Sequence, residues 1–171
     1  MANPLYGQNK LDGRIIQKLY SEAGTGREHE NTTDDANLFS YQIEPDKLEL
    51  GDIVRIKVFC TVVESNSTDT LTPILKFGGT AVAAGAALDV AVDDIVYAWA
   101  DVHVTATGSS GTMTAISEIR TDALGAVHVI GQTALTSMDT TGTLQIVLNV
   151  DWSAAHADNE FRLDSASVEL V

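Results

Sequence analysis

Between residues 52 and 64 the side chains alternate with a period of two. Val54, Ile56, Val58, Cys60 and Val62 fall on one face, and Arg55, Lys57 and Thr61 fall on the other with Ile53, Phe59 and Val63. A helix repeats near 3.6 residues and would scatter these groups around its axis, whereas a strand sends successive side chains to opposite sides of its sheet. The segment therefore reads as a strand with one core face and one half-exposed face. Cys60 lies on the core face and acts as a small hydrophobe rather than a nucleophile.

Two further segments repeat the pattern. In residues 94–107, Val96, Ala98, Ala100, Val102 and Val104 face inward, while Tyr97, Trp99, Asp101, His103 and Thr105 face outward. In residues 142–152, Leu144, Ile146, Leu148, Val150 and Trp152 share one face; Gln145, Asn149 and Asp151 take the other, interrupted by Val147. Weaker strand signals lie near 38–44, 71–77, 86–92, 112–121, 124–135 and 160–170. Turn residues separate them, among them Gly78-Gly79, Asp93-Asp94, Gly108 to Gly111 and Thr141-Gly142. Eight or nine strands with almost no helix predict an all-β fold, an antiparallel β-sandwich. The long final strands and short turns favour a jelly roll.

Residues 1–36 differ. Leu11, Ile15 and Leu19 recur at i, i+4 and i+8 with Ile16 beside them, an apolar stripe suited to a short helix that Asn9 or Asp12 could cap. An extended arm docking on the body or on a neighbour is the alternative. Residues 23–37 are polar and glycine-rich and read as a linker. The expected organisation is an N-terminal arm and linker over 1–36 and a β-sandwich body over 37–171, so a chain lacking residues 1–36 is expected to fold.

The 171 residues suffice for one domain with its own core. The net charge is −14, from 24 acids and 10 bases. Such a surface repels phosphates, so direct nucleic-acid binding is not expected. Residues 1–27 carry Lys10, Arg14, Lys18 and Arg27 against Asp12 and Glu22, a mildly basic head on an acidic body. The single cysteine rules out an intrachain disulfide. No secretory signal and no bilayer-spanning apolar stretch is visible, so synthesis in a cytoplasm and no membrane partner are expected, and the sequons at Asn31 and Asn66 read as chance.

No catalytic motif is present: no Walker A loop, no Rossmann glycine fingerprint, no HExxH and no GxSxG. His29, His103, His128 and His156 have no metal-ligand spacing. Two acidic turns, residues 64–69 and Asp151 with residues 158–160, offer oxygens for calcium but match no EF-hand loop, and a solvated turn is the plainer reading. Asp101 could be one carboxylate of a glycosidase pair, but no partner for it can be named. No catalytic residue, metal ligand or cofactor is expected. The outward Tyr97, Trp99, Asp101, His103 face is the most informative surface: large aromatics on a strand's solvent face cover a subunit contact, a second core layer or a ligand. A subunit interface is the preferred assignment.

Three stretches carry a resemblance. The chain opens MANPLYGQNKLDGRIIQKLYSE before a polar stretch, runs through Thr- and Ala-rich strands in AVAAGAALDVAVDDIVYAWADVHVTATGSSGTMTA, and includes TGTLQIVLNVDW and NEFRLDSASVEL. In this layout it resembles virion structural proteins of tailed bacteriophages, above all the jelly-roll decoration, or cement, proteins. The resemblance implies a homotrimer on the outer capsid surface, in the virion, with the major capsid protein as partner. Leu11, Arg14, Ile15, Lys18 and Leu19 would form a docking arm, and the Tyr97–His103 face would form the oligomer interface. A receptor- or glycan-binding module of a head fibre or tail is the alternative. A sandwich-type lyase or hydrolase is disfavoured, because five scattered arginines offer little to neutralise an acidic polymer.

Overall fold

The computed structural model describes residues 16–34, 36–122 and 129–171. Among these residues eleven strands are present: β1 Gln17–Glu30, β2 Ala36–Ile43, β3 Ile53–Glu64, β4 Thr70–Phe77, β5 Thr80–Ala84, β6 Leu88–Asp89, β7 Ile95–Ala106, β8 Gly111–Thr121, β9 Val129–Met138, β10 Leu144–Trp152 and β11 Glu160–Leu170. They form two antiparallel sheets packed face to face. The larger runs β1-β11-β3-β7-β8-β9, and the smaller runs β2-β10-β4-β5, with β6 joined to β4.

The pairing is nested. β1 joins β11, β2 joins β10, β3 joins β7 and β4 joins β5, so the first half of the chain folds against the second like a ribbon rolled on itself. This is jelly-roll order, and the hairpin of β8 and β9 widens one sheet beyond it. Strands of the first half alternate between the sheets, which lets both sheets feed one core.

Alternation decides which side chains enter that core. Val54, Ile56, Val58, Cys60 and Val62 of β3 are buried, as are Val96, Ala98, Ala100, Val102 and Val104 of β7 and the apolar face of β10 through Trp152. Phe39, Phe77, Phe161 and Trp152 are the largest fully buried groups. Polar ties cross between the sheets at few points: Ser117 Oγ of β8 donates to the Val82 carbonyl of β5 over 2.5 Å. Two glycines are dictated locally. Gly78, in the β4–β5 turn, sits at φ 56°, where an added Cβ would lie 2.8 Å from Met138 Sδ. At Gly111 a Cβ would come within 2.7 Å of two backbone carbonyl oxygens, so β8 can start there only with glycine.

The N-terminal region departs from expectation. Residues 17–30 are a strand of the larger sheet, so most of the segment read as a linker, 23–37, belongs to the body, and the sandwich begins near residue 17 rather than 37. Leu19 lies on this strand and not on a helix, packed with Tyr20 against the core. Leu11 and Ile15, the rest of the proposed stripe, lie outside the described residues, as do Arg14 and His128. The strand expected over 86–92 is replaced by β5 and the two-residue β6, separated by residues 85–87.

Candidate functional site

The outward face of the larger sheet gathers the chemically distinctive side chains. It is built by register. On β3 and β7, Arg55 stands opposite Asp101, Lys57 opposite Trp99 and Phe59 opposite Tyr97; on β8, Ile116 faces Asp101, Glu118 faces Trp99 and Arg120 faces Tyr97. Directly opposed residues on one face lie close enough to interact, and the contacts follow the register.

Arg55 grips Asp101 with two hydrogen bonds, Nε to Oδ1 and Nη2 to Oδ2, each 2.9 Å. This fork-on-carboxylate geometry is the strong form of an ion pair, and donating these hydrogen bonds to Asp101 holds the Arg55 guanidinium above its ordinary pKa. Trp99 donates its Nε1 proton to Glu118 Oε2 over 2.8 Å. The rings of Phe59 and Tyr97 stack with centroids 4.4 Å apart, and the Arg120 guanidinium carbon sits 5.9 Å from the Tyr97 ring centre. Burial among these neighbours raises the Tyr97 hydroxyl above its usual pKa, with Arg120 pulling the other way.

Tyr97, Trp99, Asp101 and His103 are therefore all brought to one face, as expected, and all are half-buried. Three of them already have partners on β3 and β8. The apolar surface still open to water comes from their neighbours: Phe59 is 41% exposed, Ile95 46% and Ile116 43%. Alternation along β3 had put Phe59 on this face; what the sequence did not show was its pairing with Tyr97. Of the arm residues, Lys18 is exposed on β1 and Leu19 is half-buried against the body. Cys60 is fully buried, and desolvation drives its thiol well above the ordinary value, so it is no nucleophile.

At one end of the sandwich the two acidic turns weighed for calcium meet. Asn159 is fully buried there. Its Nδ2 donates to Asp69 Oδ2 at 2.8 Å and to the Ala154 carbonyl at 3.0 Å, while its Oδ1 accepts the Asn66 N–H at 3.0 Å. The turn is closed by its own amide. Among the described residues no three His, Cys, Asp or Glu side chains converge as a metal set.

Beside this lock, Glu30, Glu160 and Glu64 stand opposite one another across β1, β11 and β3. Like charges so placed are unfavourable. Burial first, then Glu28, Glu30 and Glu64, raise the Glu160 carboxyl above its ordinary pKa, with Arg162 opposing. The folded state then holds more protons than the unfolded chain between the ordinary glutamate value and the raised one. The penalty is thus complete above the raised value and fades as pH falls to the ordinary value. Glu160→Gln is expected to raise the melting temperature at pH 7 and to flatten the rise in wild-type stability on acidification across that window; equal melting curves for the two proteins at pH 7 would refute the assignment.

No protein-family model matches the chain, and no curated protein matches it.

Proposed function

We propose that this chain is a virion structural protein, a capsid decoration protein that binds the outer shell as a homotrimer and stabilises it. The observation that carries the reading is the half-buried aromatic and charged face of the larger sheet, with Ile95, Ile116 and Phe59 still open to water. Exposed apolar side chains set among polar ones on one sheet face are what a second copy of a chain covers. The rigid two-sheet body supports such a role, since it presents this face on strands rather than on loops. The net charge of −14 favours a protein partner over nucleic acid. Partners would be other copies of the chain and the major capsid protein. The function would be mechanical: many modest contacts repeated over a shell add up to large stabilisation.

The first test is the mass of the species in solution. A trimer is expected, and Ile116→Asp should weaken association at least tenfold, a loss of about 1.4 kcal/mol or more, while leaving the melting temperature of the isolated body nearly unchanged. Purified shells should bind the wild type and lose the variant. A monomer at high concentration, or full shell occupancy by Ile116→Asp, would overturn the reading. A glycan-binding module of a fibre or tail is the second reading, favoured by one observation, an open trough on the other half of the same face.

A further inference from the structure

The outer face of β1, β11 and β3 holds a trough of about 350 Å³. The register explains its shape. Ser21, Ser167 and Lys57 form one row across the three strands, and Ala23, Ser165 and Phe59 form the next. The small side chains make the floor. Lys18, Lys57 and Phe59 stand up as the rim. Strands lie about 4.8 Å apart, so the floor spans roughly 10 Å between β1 and β3. The volume falls at the lower end of the roughly 300–1,000 Å³ range of small-ligand sites.

We propose that this trough binds an acidic saccharide, a sugar unit bearing a carboxylate. Phe59 is locked in place by its stack on Tyr97 and offers a flat apolar wall, suited to the C–H face of a sugar ring. The serine hydroxyls on the floor both donate and accept, matching sugar hydroxyls. Lys18 and Lys57 supply two ammonium groups to one slot of a chain whose net charge is −14. Among the described residues neither lysine forms an ion pair. Glu22 also lines the trough, with its Oε2 paired to Arg27 Nη2 at 3.4 Å. A neutral sugar would leave both ammonium groups unused. A nucleic-acid backbone needs a long track of cations, which this acidic surface lacks. The site goes beyond shell binding: it lies on the β1 side of Phe59, whereas the proposed subunit contact centres on β7 and β8.

The test is the full chain on an array pairing uronate-, sialate- and sulfate-bearing glycans with neutral counterparts, followed by calorimetry with oligogalacturonate and its methyl ester. Binding of carboxylated sugars is expected, with the methyl ester at least tenfold weaker. The Lys18→Ala/Lys57→Ala double variant and Phe59→Ala should each lose at least tenfold in affinity, with unchanged melting curves confirming the fold. No carboxylated hit at millimolar ligand, or affinity indifferent to the lysine pair, overturns the proposal. Lys57→Ala alone, which leaves the docking arm intact, should weaken saccharide binding yet still form trimers and coat shells, so failure of the saccharide site and failure of the capsid reading are told apart.

Discussion

A chain that starts at residue 37 is expected not to fold, whereas one that starts at residue 17 should melt like the full protein. The reason is β1. It pairs with β11 on both sides of a bulge, from Gln17 opposite Leu170 to Glu30 opposite Glu160. Its Tyr20 ring reaches across to the smaller sheet, with centroids 5.8 Å from Phe39 and 5.2 Å from Tyr41. Its His29 carbonyl accepts the buried Trp152 Nε1 proton at 3.4 Å. Removing the strand bares the edge of β11, opens the seam between the sheets and leaves a buried indole N–H without its acceptor. These losses together take a large share of the roughly 5–15 kcal/mol that holds a domain of ordinary stability. Circular dichroism and thermal melts on the two truncations decide the matter. A cooperative transition in the shorter chain would show that β1 is an accessory and not part of the body. The comparison also isolates the docking arm: the chain starting at 17 lacks Leu11, Arg14 and Ile15, and loss of shell binding by that folded protein would locate docking in residues 1–16.

The second large effect is expected at Asn159. Alanine there removes three hydrogen bonds, among them the one to Oδ2 of Asp69, which is only 7% exposed. Leaving a neutral buried group unpaired costs about 1–3 kcal/mol and a charged one more, so a loss of about 2–4 kcal/mol is expected. For a chain of this size that lowers the melting temperature by roughly 5–15 °C. Asn159→Asp keeps the shape but sets a second carboxylate against Asp69. It should be at least as damaging at neutral pH, and melting curves of both variants at pH 7.5 check the two losses. A shift under 2 °C for alanine would mean that the turns hold without the amide.

How far the sequence reveals this molecule varies from strand to strand. β3, β7 and β10 are plain because each buries one face, and burial imposes alternation on the residues themselves. β1 is not. Leu19 and Tyr20 are adjacent instead of alternating, and Gly24 and Gly26 adopt φ of 62° and 61° where the register with β11 slips between Ala23 and Arg27. A bulged edge strand takes its order from a partner far along the chain, and that leaves no local pattern. β5 was missed for a different reason: Thr80–Ala84 is short and three of its five residues are alanine, with little side chain to sort between faces. On the outer face, the alternation correctly sends Tyr97, Trp99, Asp101 and His103 outward. It cannot show that Arg55, Glu118 and Phe59 wait for three of them on neighbouring strands. The trough is less legible still, because its floor and rim come from three strands that meet only through register. The acidic turns at 64–69 and 158–160 were visible as oxygen-rich, but only the fold discloses that an amide closes them.

Nested pairing also sets the order in which the protein can be made. Of the described strands β1 and β2 leave the ribosome before the rest, yet their partners β11 and β10 leave it after the rest. The early strands must wait through synthesis of all those between with their apolar faces unsatisfied, and the core cannot close until β10 and β11 are free. Folding is then slow and all-or-none, governed by the closure of the longest loop in the chain. A nascent chain stalled before β10 would hold the means of aggregation and none of the means of burial. The acidic surface helps here too, since mutual repulsion keeps waiting chains apart.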